Sequence, residues 1–132
     1  MFEFSYKLHG QSAAFERRLG TDGEAYTRGE ALALSGGRLT KCAATSTPQF
    51  ICLCDQAAET TATTPLCVLP VTDHQVFCTT LAAAGTALKV GDAVTLHSDG
   101  LQVTATTTGG VFTLTALDGT AVGDTVHGRF LG

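Results

Sequence analysis

The chain has 132 residues, 44% of them apolar and only 15% charged, with a net charge of −4. That suits one domain with a single modest core and excludes disorder; no apolar run reaches the roughly 18 residues of a spanning helix, and the first ten residues lack a signal peptide's basic-then-apolar order. Residues 42–132 carry only Lys89 and Arg129 against seven acids, whereas 1–41 carry six basic and five acidic side chains, so the acidic body repels phosphate and nucleic acid is not an expected partner.

At the N-terminus Phe2, Phe4, Tyr6 and Leu8 alternate with Glu3, Ser5, Lys7 and His9. Period two predicts a strand with one buried face, ended by Gly10. Residues 12–19 fit either two helical turns or an extended linker, and Gly-Thr-Asp-Gly at 20–23 is turn chemistry. Residues 1–23 therefore read as an N-terminal arm and 24–132 as a β-barrel domain. Within that domain, strands are expected at 31–34, 38–43, 50–54, 67–71, 75–79, 93–97, 101–105, 111–116 and 125–130. Ser35-Gly36-Gly37 and Ser98-Asp99-Gly100 supply hairpin turns, because Gly and Asp tolerate positive φ. Pro65 and Pro70 mark the strand between them as an edge or a short one. The expected fold is all-β: a small antiparallel barrel or sandwich with an extended N-terminal arm.

The chain also repeats itself. Residues 29–54 lie over 91–116 without a gap, at an offset of 62, and seven of the 26 pairs are identical, including Gly29/Gly91, Leu34/Leu96 and Phe50/Phe112. A shorter echo places Val122-Gly-Asp-Thr-Val126 over Val90-Gly-Asp-Ala-Val94. No catalytic residue type is common to the two long copies.

Candidate chemistry is sparse. Cys52 and Cys54 share a strand face, and Cys67, His74 and Cys78 would complete a tetrahedral metal site. In-strand Cys-x-Cys is not the tight knuckle of a structural zinc site, so core packing is the preferred reading and neither metal nor cofactor is expected. Five cysteines without an export signal fit free thiols in a reducing cytoplasm. Asp73-His74, with His97 and His127, is the nearest approach to an acid–base group. It reads more simply as a polar turn, since no nucleophile elbow or phosphate loop occurs. The expectation is therefore a non-enzyme. The N-terminal strand is the best functional candidate, fit for strand addition to a partner or for pairing with the body's own edge.

Gly91-Asp-Ala-Val-Thr-Leu96 with Gly100 forms a Gly-Asp-x-Val-x-Leu segment followed by a glycine turn. Weaker forms occur at 29–34 with Gly36 and at 123–126. In this pattern and in its Ala/Thr/Gly/Val-rich composition, the chain resembles the small capsid decoration (cement) proteins of tailed bacteriophages. The cysteine content is higher than that family leads one to expect. The resemblance implies a structural virion protein made in the bacterial cytoplasm and bound to the capsid exterior. Its partners would be the major capsid protein and its own copies, as a trimer, with no membrane involved. Under that reading Phe2, Phe4, Tyr6 and Leu8 contact a neighbouring chain, with Phe2 and Phe4 buried there, and Arg17 and Arg18 are candidates to pair with capsid carboxylates. The rival expectations are another virion module, such as a head-fibre base or tail accessory, and a cytoplasmic metal- or ligand-binding barrel.

Overall fold

The computed structural model describes residues 1–7, 15–58 and 63–130. Ten strands among them form two five-stranded sheets packed as an all-β sandwich, not a closed barrel. The first sheet contains, in spatial order, β1 (Glu3–Lys7), β7 (Gln75–Thr80), β10 (Thr125–Phe130), β9 (Phe112–Leu117) and β8 (Ala93–Val94). The second runs β2 (Glu16–Arg18), β6 (Leu66–Pro70), β5 (Phe50–Cys52), β3 (Ala31–Ser35) and β4 (Arg38–Lys41). Every ladder is antiparallel. A parallel bridge, Gly20 to Leu39, brings the chain beyond β2 alongside β4 at the opposite edge of that sheet.

Two expectations need correction. The strand expected at 101–105 shrinks to Val103, which bridges Leu96 and Leu81. The strand between the prolines is interior, lying between β2 and β5. Pro70 is tolerated there because β2 pairs only with residues 66–68, so its missing N–H falls beyond the end of β2. The strand expected at the N-terminus is present at residues 3–7, residues 16–18 form another, and the two supply one edge strand to each sheet.

The repeat is structural. In the first copy β3 pairs with β5 as Ala31↔Ile51 and Leu32↔Phe50. In the second, β8 pairs with β9 as Ala93↔Thr113 and Val94↔Phe112, the same register at an offset of 62. One copy lies in each sheet. The copies diverge at the hairpin that follows. Gly36 and Gly37, both at positive φ, close a two-residue turn in the first. In the second, the bond from His97 N–H to the Gln102 carbonyl closes a wider loop.

Turn chemistry repeats more often than the sequence suggests. Four turns carry glycine at the third position and an acid at the fourth, ending at Glu24, Glu30, Asp92 and Asp124. In each, the acid's N–H donates to the carbonyl three residues back, at 3.1–3.2 Å. The four glycines, Gly23, Gly29, Gly91 and Gly123, have φ between +79° and +98°, as a type II turn requires.

Alternation splits the second sheet's apolar residues between two clusters. Ala31, Ile51 and Leu69 pack toward the first sheet, while Leu32, Phe50, Cys52, Leu66 and Val68 gather with Tyr26 and Leu39. The main core is built on four rings: Phe2, Phe77, Phe112 and Phe130, with neighbouring centroids 5.0–5.6 Å apart in tilted or edge-on contact. Gly128 makes room for them. A Cβ there would lie 2.4 Å from the Thr113 carbonyl oxygen and 2.7 Å from the Phe112 ring. Gly128→Ala should therefore cost about 1–3 kcal/mol of overpacking, and Phe130→Ala about 3–5 kcal/mol. Urea unfolding reads both; an unchanged midpoint for Gly128→Ala would contradict this packing.

Candidate functional site

Among the four sheet edges, β1 is the one most open to a partner. β8 has two residues and β2 three, and β4 is flanked by the Gly20–Leu39 bridge. β1 has five residues, pairs with β7 on one side, and has no strand on its other side among the described residues. Open edges of this kind invite strand addition.

The N-terminal aromatics do not share one environment. Phe2 is 2% exposed and belongs to the chain's own core. Its N–H donates to the Gly29 carbonyl at 2.9 Å. This corrects the expectation that Phe2 is buried against a neighbouring chain, because only the start of the strand reaches between the sheets. Phe4 and Tyr6 remain 44% and 51% exposed. The Phe4 ring rests edge-on against Phe77 at 6.1 Å, which holds its orientation while leaving much of it in solvent. A register shift between Phe4 and Tyr6 breaks the strict alternation that predicted one buried face. Leu8 lies outside the described residues.

Beside the strand a cleft of about 350 Å³ opens between the sheets, with Phe2, Ile51 and Leu69 of the core among its lining. Exposed Met1, Phe4 and Leu53 also line it, as do Arg28 and Glu3. Met1, Arg28 and Leu53 escaped sequence reasoning. They meet β1 only because Gly29 joins Phe2 to Cys52, accepting from the first and donating to the carbonyl of the second. No local pattern signals that junction. The glycine itself is a clue, since a Cβ at Gly29 would lie 2.2 Å from Met1 Cγ.

The two arginines differ. Arg18 is engaged within the chain: its Nε lies 3.1 Å from Glu16 Oε2, and its guanidinium stacks 5.0 Å above the Phe50 ring. Arg17 is exposed on β2.

The metal candidates are spread over both sheets. Cys52 is buried in β5, and its thiol donates to the Cys54 carbonyl at 3.1 Å. Cys67 is on β6, His74 sits in the β6–β7 turn with Nδ1 3.4 Å from Asp73 Oδ1, and Cys78 is on β7 near Glu3. Among the described residues no group of three or more His, Cys, Asp or Glu side chains is placed to hold a metal ion. The histidines also lie apart in the fold, with His97 beside Asp99 and His127 on β10. No family model matches the chain, and no curated protein matches it either.

All five cysteines are free thiols. Burial pushes the Cys42 thiol up to about 11 and Cys52 up to about 12, which leaves almost no reactive thiolate. Alkylation of the native protein at pH 8, read by intact mass, should therefore spare Cys42 and Cys52 and modify at most the three partly exposed thiols, with all five reacting after denaturation. Rapid native labelling of Cys52 would contradict the burial of the second cluster.

Proposed function

We propose that this protein is a non-enzymatic structural component of a phage particle, which binds the outer capsid surface through the β1 edge and stabilises the head. The observation that carries the reading is the combination at β1: a strand edge, unpaired among the described residues, that follows core-buried Phe2 and whose aromatics, Phe4 and Tyr6, face solvent. The Gly-Asp-x-Val-x-Leu pattern at 91–96 and its weaker copies point to the same class of protein. In this reading a strand of the major capsid protein lies along β1. Its backbone supplies hydrogen bonds, and its alternate side chains enter the cleft beside Met1 and Leu53. Arg28 at that cleft and Arg17 on β2 supply cationic contacts for capsid carboxylates. Self-association into trimers on the lattice belongs to the same proposal.

Removing residues 1–10 is a poor test, because it removes Phe2 from the core. The double variant Phe4→Ala/Tyr6→Ala leaves the ring cluster of Phe2, Phe112 and Phe130 in place. It should unfold close to the wild-type midpoint yet co-sediment with expanded heads at least about tenfold more weakly, a loss of roughly 1.4 kcal/mol or more. Equal binding would remove β1 from the interface. A reconstruction of particles carrying the protein tests the wider claim: density on the head exterior supports it, whereas location in the tail, or absence from particles, overturns it.

A further inference from the structure

Glu30 is the exception among the four Gly-acid turns. Asp92 and Asp124 each turn a carboxylate oxygen back onto the N–H that opens their own turn, at 3.1 and 3.0 Å. Glu24 accepts from Thr40 Oγ1 and from the Lys41 N–H, at 3.0 and 2.8 Å. Glu30 is only 3% exposed, and its Oε2 is buried without a hydrogen-bond partner. A carboxylate in that position is costly when charged and far less so when protonated.

Its location gives that cost a target. Two segments are seated on residues 29–31. The Phe2 N–H donates to the Gly29 carbonyl, and the Ala31 N–H donates to the Gly100 carbonyl at 2.8 Å. Gly100, at φ +71°, comes so close that a Cβ there would lie 3.1 Å from Glu30 Cγ. Glu30 thus lies at the seat shared by the start of the N-terminal strand and the loop around Gly100.

We propose that Glu30 is a proton-operated latch, which when protonated lets the N-terminal strand and the Gly100 loop close onto residues 29–31 and when ionised loosens both. The groups around it favour this use. Burial is the main influence and pushes the carboxyl up to about 7. Lys41 on β4 opposes the shift, while Glu24 from the preceding turn and Asp99 from the loop add to it. Cys52 on β5 and Tyr26 also feel the Glu30 charge, and neither supplies a cation. The sign follows from linkage. The closed form keeps its proton up to about 7, whereas an opened, solvated Glu30 loses it near the ordinary 4.5. Closure is therefore fully favoured below about 4.5, weakens as pH rises toward 7, and is level above that. The latch acts whatever β1 docks against, so it stands apart from the proposed capsid role.

Amide hydrogen exchange of the full chain at pH 5 and pH 8, corrected for intrinsic rates, tests it. Protection of the Phe2 and Ala31 amides should fall on the order of a hundredfold at the higher pH, while the Leu114 amide, bonded to the Asp92 carbonyl, holds its protection. In Glu30→Gln the pH step should vanish. Equal loss at Leu114 would make the effect global and overturn the latch, as would an unchanged step in Glu30→Gln. The Glu30 Cδ resonance of the wild-type protein decides independently of whether the variant folds: a midpoint near 7 supports the latch, and one near 4.5 overturns it.

Discussion

Four phenylalanine rings bear the main core, and the strands that bring them together are far apart in sequence. Phe2 enters just ahead of β1, Phe77 from β7, Phe112 from β9 and Phe130 from β10. Burial of each ring contributes about 1.5–3 kcal/mol, and tilted aromatic pairs add about 0.5–1.5 kcal/mol each. The arrangement depends on a missing side chain as much as on those present. Gly128 pairs with Leu114 across the β9–β10 ladder, and a Cβ there would crowd the Phe112 ring and the Thr113 carbonyl.

The same cluster explains how an N-terminal segment can be both anchored and available. Phe2 is held by Phe112 and Phe130, so the residues after it leave the core at a set position and direction. Phe4 still touches Phe77, while Tyr6 lies past the register shift. A segment preorganised in this way loses little conformational entropy on docking, the main cost that a disordered tail would meet.

Duplication accounts for the body. Each copy supplies a strand pair of the same register to a different sheet, and a Gly-acid turn opens each pair. The two copies then took different roles at equivalent positions. Asp92 is short enough to tie its own turn, whereas Glu30, one methylene longer, is buried at the junction between the copies. Repetition made the frame, and divergence at one acid put a titratable group inside it.

The strand-rich class, the turns and the repeat were legible from residues 29–54 and 91–116 because they rest on local chemistry: period-two alternation and glycines that accept positive φ. Aromatic content at the N-terminus was legible too, but not its division. Whether Phe2 faces its own core or a neighbour depends on Phe112 and Phe130, more than a hundred residues away in sequence. The interior place of β6 depended on where β2 stops, and the cleft beside β1 on the docking of Gly29 between Phe2 and Cys52. Glu30 looked like one more turn acid until the Gly100 loop covered it. Sequence alone determined which segments extend and where they turn, since those choices are made within a few residues. Tertiary structure alone decided which side chains lose water, because desolvation is set by neighbours that the chain brings from elsewhere.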